Sequence, residues 1–199
     1  PNGRYMTYGE MVADMDLRVG QMRETIEELG LTDQTLVMFT TDNGTTGHNY
    51  IRHEGRKLIR EPVVSRINGM ELTGKKGTYT DWGMRVPALV SWPGHVEPES
   101  SSEALIDLSD LLPTFVELAG GDKPSFPLDG KSFAPLLLGE DHESREWIYG
   151  EGRRKKGVRT RDWKLISSGQ LFDMANDPEE ENPIFKKEDT EASAAARLE

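Results

Sequence analysis

Apolar residues recur at Met11, Met15, Val19, Met22, Ile26 and Leu29, spaced by four, four, three, four and three positions. That spacing draws one stripe along an amphipathic helix. The stripe starts just after Thr7-Tyr8-Gly9-Glu10, an S/T-x-x-E pattern in which the two side chains satisfy free backbone N–H groups at a helix start. Gly30 stands where a helix ends at C′. The Met-rich stripe is expected to pack into the core, because Met fills irregular gaps. The pattern then changes. Thr35-Leu36-Val37-Met38-Phe39-Thr40 is a continuous apolar run without alternation, which suits a parallel strand covered on both faces. Helix, short turn and buried strand make half of an α/β unit.

Residues 44–75 show no clear period and read as a long loop or small insertion, a kind of segment that tends to be functional. Val86-Pro87-Ala88-Leu89-Val90-Ser91-Trp92 predicts a second buried strand, closed by Pro93-Gly94, with Pro87 among its first residues, where a missing donor is tolerated. A second helix is expected after Asp110 as its cap. Its apolar residues are Leu111, Leu112, Phe115, Val116, Leu118 and Ala119, Pro113 falls in its first turn, and Gly120-Gly121 ends it. Beyond Gly150 the texture shifts to short strands with turn signals: Val158–Ile166 around a polar turn, then Gln170–Asp173 after Ser168-Gly169. This predicts an antiparallel meander. The expected division is a larger α/β portion over 1–140, a small antiparallel α+β subdomain over 141–190, and an appended tail over 191–199 that is set aside from the fold.

Composition narrows the partners. The net charge is −11, with no cysteine in 199 residues, so disulfides and thiol chemistry are absent from this chain. The acidic balance argues against a nucleic-acid backbone as partner, and Arg153–Lys156 reads as a solvated basic loop. No apolar stretch approaches the ~20 residues that span a bilayer. The start, Pro1-Asn2-Gly3-Arg4, lacks a signal peptide and an initiator Met and reads as the interior of a longer protein.

Two stretches carry candidate chemistry. Asp42-Asn43-Gly44 follows the first strand, at the edge where open α/β sheets place ligands. A carboxylate and an amide carbonyl form a hard-oxygen pair suited to calcium or magnesium; a tight loop capped by Asp42 explains the same letters. Gly74-Lys75-Lys76-Gly77-Thr78 is the other: glycines allow close backbone approach, and a lysine there suits a sulfate or phosphate oxygen, although a solvated basic turn is the simpler reading. Together they form half of a constellation that neutralises an oxyanion ester and its leaving oxygen. A nucleotide P-loop is excluded, because Lys76 replaces the magnesium-binding Ser or Thr after Gly69-x4-Gly74-Lys75. His53-Glu54 lacks the second histidine of a zinc-protease helix.

The order MVADMDLRVGQ, TLVMFTTDNG, GKKGTYTDWGMRVPALVSWPG, DLLPTFVELAG, LDGKSFAPLLLG, VRTRDWKLI and LFDMANDPEE closely resembles the second half of sulfatases of the alkaline-phosphatase-like superfamily, across roughly residues 5 to 181. The resemblance implies an α/β sandwich with a mixed, mainly parallel sheet, plus a small C-terminal antiparallel α+β subdomain. It implies Asp42 and Asn43 as metal ligands, usually to Ca2+, and Lys76 as the catalytic lysine that contacts the substrate sulfate and supports the leaving oxygen. Arg85 matches a recurrent arginine whose donors are expected to fix the Lys76 loop. His48 and Trp82 are candidates for the substrate cleft, with a surface histidine and a packing tryptophan as the alternatives.

The departures are equally informative. The family's nucleophile is a formylglycine made inside C/S-x-P-x-R. Ser125-Phe126-Pro127 mimics its start, but Asp129 stands where the arginine is required. The formylglycine and the remaining metal ligands are therefore expected upstream of Pro1, and this chain alone is expected to be inactive. The resemblance implies sulfate monoesters as substrates, sulfated carbohydrates among them, and a periplasmic or extracellular location. A phosphodiesterase or phosphonate hydrolase of the same superfamily, and a non-catalytic carbohydrate-binding or scaffold domain, are the competing readings. Exposed strand edges and apolar faces would favour self-association.

Overall fold

The computed structural model describes residues 7–67, 70–152 and 155–198; for residues 49–53, 67 and 70 it describes the backbone alone. The chain forms two compact units, 1–92 and 93–199.

The first unit opens with helix α1 (Tyr8–Glu28). Its capping box is complete: Thr7 Oγ1 accepts from Glu10 N at 3.1 Å, and Thr7 N donates to Glu10 Oε2 at 2.9 Å. It ends in a Schellman motif, with Leu31 N donating to Ile26 O at 3.0 Å and Gly30 N to Glu27 O at 2.9 Å. Gly30 takes φ 66°, which glycine adopts without a Cβ penalty. The expected core packing of its stripe does not occur. No residue of α1 is buried, and Met22 remains 58% exposed. The period set the helix but not what covers it.

Strand β1 (Val37–Thr40) follows and pairs antiparallel with a later strand, β6 (Ala88–Ser91), from Val37 opposite Ser91 to Thr40 opposite Ala88. Every residue of β1 is half-buried. The apolar run identified a strand correctly, whereas the mainly parallel sheet is not found among the described residues, where every strand pair is antiparallel. A continuous apolar run encodes burial on two faces, not strand direction. Trp92 Nε1 donates to Asp33 O at 2.8 Å and ties the end of β6 to the turn before β1. Pro93-Gly94, with Gly94 at φ 83°, then turns the chain.

The stretch read as a loop between β1 and β6 is instead two hairpins: β2 (His48–Glu54) with β3 (Lys57–Pro62), and β4 (Val64–Ile67) with β5 (Met70–Thr73). Val63, 2% exposed, sits between them. Helix α2 (Asp81–Met84) completes the unit.

In the second unit, helix α3 (Leu111–Leu118) closes as expected, with Gly120 at φ 67° and Gly121 N donating to Val116 O at 2.9 Å. Asp110 stands at its N-cap but makes no side-chain cap bond to the helix. Its carboxylate accepts instead from Asp107 N at 2.8 Å, Lys131 N at 2.6 Å and the Arg145 guanidinium, and both charged side chains are nearly buried. Burial pushes the Asp110 carboxyl up, but those hydrogen bonds and the Arg145 charge outweigh it and hold its pKa below the usual carboxylate value. Fully buried Thr114 accepts from Phe133 N at 3.0 Å, which seats helix α4 (Ala134–Leu137) beside α3.

The meander is present: β7 (Trp147–Glu151), β8 (Lys156–Thr160), β9 (Trp163–Ile166) and β10 (Leu171–Asp173) lie in sequence order, each antiparallel to the next. Ile166, Leu171, Phe172 and Met174 are buried. So is the Lys164–Glu180 ion pair, at 2.9 Å, with Glu180 held at φ 57°. The segment set aside as a tail contributes helix α5 (Glu191–Ala196), capped by Thr190, with Ser193 fully buried. Arg197 holds Asp189 at 2.8 Å and donates to the carbonyls of Gly169 and Ile184. The anchoring depends on one arginine, a long-range partner that the Ala-rich letters do not show.

Candidate functional site

The end of β1 delivers Thr41-Asp42-Asn43-Gly44 into a turn steadied by Thr41 Oγ1, which donates to Asn43 O at 3.2 Å. The Asp42 carboxylate is exposed and has no ion pair among the described residues; Asn43 is half-buried. Downstream, Gly74-Lys75-Lys76-Gly77-Thr78 forms a second turn, in which Thr78 Oγ1 donates to Lys75 O at 2.7 Å.

These two turns are joined through their backbones. Lys76 N donates to Thr45 O at 2.9 Å, so the lysine is anchored to the residue that follows Asp42-Asn43-Gly44. Gly44 N donates to Gly83 O at 2.9 Å and brings α2 to the same place. Val63 N reaches Gly47 O at 3.1 Å and Gly74 N reaches Val63 O at 3.2 Å, closing the hairpins' base against both turns.

Three glycines make the approach possible. A Cβ on Gly44 would collide with the Trp82 carbonyl oxygen and lie 2.9 Å from Gly83 Cα. A Cβ on Gly74 would meet the Thr46 carbonyl carbon at 2.6 Å, and one on Gly83 would meet Thr78 O at 2.5 Å and Lys75 O at 2.8 Å. All are shorter than the approaches real Cβ atoms make, so each position requires the absence of a side chain. The sequence marked each glycine within its own motif; that they interlock was not legible, because the partners of Gly44 and Gly74 lie 28 to 39 residues away along the chain.

Lys76 is exposed, and its ammonium has no ion pair among the described residues. Its backbone is fixed while its charge stays available. Trp82 is half-buried on α2, beside the Gly44 approach. His48 is exposed and opens β2, one residue beyond Gly47; its carbonyl accepts from Thr46 Oγ1 at 3.3 Å. The structure therefore brings the stretches bearing Asp42, Asn43, Lys76, Trp82 and His48 into one backbone-linked cluster. Arg85 does not fix the Lys76 loop as expected: its guanidinium is exposed and makes no bond to that loop among the described residues. Short backbone bonds and Thr78 take that role. Sequence reasoning missed Thr45 and Thr78, whose placement next to the glycines was the available signal.

An acid and an amide are suitable oxygen donors for calcium, which takes six to eight such ligands. Among the described residues no group of three or more His, Cys, Asp or Glu able to hold a metal ion occurs. The Asp42-Asn43 turn presents two donors of the right chemistry, short of a whole site among the described residues. No helix among the described residues is long and apolar enough to cross a membrane.

The fold is that of alkaline-phosphatase-like α/β structures. A structure solved in complex with its substrate D-glucosamine-2-N,6-O-disulfate superimposes with a TM-score of 0.69 at 25% identity, over 94% of this chain and 36% of that one. Another, from Bacteroides thetaiotaomicron and concerned with metabolism of multiple glycosaminoglycans, shares the fold with a TM-score of 0.68 at 22% identity, over 92% of this chain and 41% of that one.

The chain belongs to the sulfatase family: residues 2–121 match the sulfatase family model, and residues 74–198 match that of N-sulphoglucosamine sulphohydrolase, C-terminal. It is 37% identical to human arylsulfatase A over 142 residues, 71% of this chain and 25% of that protein. It is 38% identical to human N-acetylgalactosamine-6-sulfatase over 132 residues, 66% of this chain and 23% of that protein. The chain thus spans about a quarter of the length of the curated relatives it matches.

Proposed function

We propose that this chain is the C-terminal portion of a sulfatase that hydrolyses sulfate monoesters of carbohydrates. Asp42 and Asn43 supply two ligands to a calcium ion, and Lys76 contacts the sulfate. The observation that carries the reading is the 2.9 Å bond from Lys76 N to Thr45 O, which fixes the lysine beside the acid–amide turn. The sulfated glucosamine bound by one structural relative supports a carbohydrate substrate.

A formylglycine and further metal ligands complete the site on this reading; when present, the aldehyde hydrate would supply the nucleophile and the cation would supply positive charge. The residues of this chain do the rest. Asp42 and Asn43 would offer the cation a carboxylate and an amide oxygen at the strand end. Lys76 places its ammonium near the bridging ester oxygen, where negative charge grows as the S–O bond breaks, and charge stabilisation of this kind is the larger part of many rate enhancements. The Gly44, Gly74 and Gly83 approach holds these groups at fixed separation without side-chain reorganisation. Trp82 provides an aromatic surface on which a sugar ring packs, and His48 lies at the rim.

The test uses the full-length protein with an aryl sulfate and a sulfated monosaccharide. Lys76→Ala is expected to lower kcat/KM about 10²–10³-fold, and Asp42→Ala to abolish stimulation by added calcium. Both side chains are exposed, so thermal stability should stay within ~0.5 kcal/mol of wild type. Undiminished sulfate hydrolysis by Lys76→Ala, or faster turnover of matched phosphate diesters by wild type, would overturn the assignment.

A further inference from the structure

The β2–β3 hairpin differs in charge from the chain that carries it. Residues 48–62 hold four basic side chains, Arg52, Arg56, Lys57 and Arg60, against Glu54 and Glu61, within a chain of net charge −11. The hairpin turns at Gly55, whose φ of 62° places it at the first central position of a two-residue turn between Glu54 and Lys57. Arg56 and Lys57 form the tip; both are exposed and neither is ion-paired among the described residues. At the other end His48 pairs with Pro62. The next residue, Val63, is bonded to both Gly47 and Gly74. The base of the hairpin is therefore continuous with the turns that bear Asp42 and Lys76.

Length decides what the tip can reach. Six residue steps from His48 to Glu54, at ~3.4 Å each, put the tip roughly 20 Å from the base. Cations at that distance do not act on the sulfate held by Lys76. They act on negative charge elsewhere on the same substrate. An arginine fork binds sulfate or carboxylate through paired N–H donors, and an adjacent lysine adds a mobile point charge. On an acidic protein, a polyanionic chain is repelled by most of the surface and attracted to this arm, which favours one binding orientation.

We propose that the β2–β3 hairpin is a specificity arm that reads a second anionic group, sulfate or carboxylate, on an oligosaccharide whose scissile sulfate lies at Lys76, with Arg56 and Lys57 as the contacts. This rests on the sulfatase reading above. It makes the substrate a charged chain several sugars long, not a monosaccharide.

The test is calorimetric titration of the full-length protein with a sulfated, uronate-containing hexasaccharide, with its desulfated form and with its carboxyl-reduced form, alongside turnover of an aryl sulfate. R56E/K57E is expected to bind the sulfated hexasaccharide about 10-fold more weakly while its kcat/KM on the aryl sulfate is unchanged. R56A/K57A should show a smaller loss in the same direction. The control K186E/K187E, with the same change in net charge, should bind as wild type. If the 10-fold difference survives in the carboxyl-reduced hexasaccharide, the group read is sulfate; if it survives only in the desulfated form, it is carboxylate. Unchanged binding by R56E/K57E, or an equal loss in K186E/K187E, overturns the arm and leaves the sulfatase reading standing. Absence of any sulfate hydrolysis by the wild-type protein overturns both.

Discussion

Gly74→Ala tests the interlock on which the site depends. The added methyl would sit 2.6 Å from the Thr46 carbonyl carbon and closer still to the Thr45 and Thr46 oxygens. Ordinary contact begins near 3.4 Å, so clearing the carbonyl carbon alone separates the two backbones by about 0.8 Å, and the nearer oxygens require more. That displacement strains the Lys76 N to Thr45 O bond at 2.9 Å and the Gly74 N to Val63 O bond at 3.2 Å, each worth about 0.5–1.5 kcal/mol. Forcing an extra carbon into packed backbone adds to this, and overpacking of that size costs about 1–3 kcal/mol. A loss of about 2 kcal/mol should appear as a lower Tm of the full-length protein. The catalytic effect should be larger than the thermal one, because a displacement of about 1 Å in a positioned group is worth roughly 10²-fold in rate. The assays are differential scanning calorimetry and kcat/KM on an aryl sulfate with the full-length protein. Wild-type Tm together with wild-type kcat/KM in Gly74→Ala would refute the claim that backbone contact at the glycines sets the position of Lys76.

Gly20→Ala is the opposite case: it lies inside α1 with nothing within 4 Å of the new Cβ, so helix propensity alone should stabilise by up to ~1 kcal/mol, read as a higher Tm. Arg145→Ala leaves the nearly buried Asp110 carboxylate without its cation and should destabilise by about 3–5 kcal/mol in urea titration. The same pair sets an acid limit. Because the folded pKa of Asp110 lies below its ordinary value of 3.8, its contribution is complete above that pH and is lost as pH falls from there through the folded pKa. Stability curves of wild type and Asp110→Asn should therefore converge only below about pH 4; convergence at neutral pH would show that the pair contributes nothing.

The sequence by itself determined the local elements whose causes are local. Thr7 and Glu10 capped α1, Gly30 and Gly120 ended two helices, and the short strands around Arg161-Asp162 and Ser168-Gly169 became a meander. Each follows from a few adjacent residues competing for the same backbone groups. The ordered motifs also placed the chain in its family. Tertiary structure decided the remainder. The Met stripe of α1 lies exposed, because a period specifies a face but not its cover. β1 runs antiparallel to β6, because apolar runs carry no direction. Asp110 serves Arg145 rather than its own helix, because a partner 35 residues away holds it more strongly than the first turn. Arg197 ties the last helix to the Gly169 and Ile184 carbonyls by bonds that Ala-rich letters do not announce. The meaning of Asp42-Asn43-Gly44 changed in the same way. Its glycine is needed less for a turn than for the approach of Gly83 and Trp82, and that contact between distant segments exists only once the chain has folded.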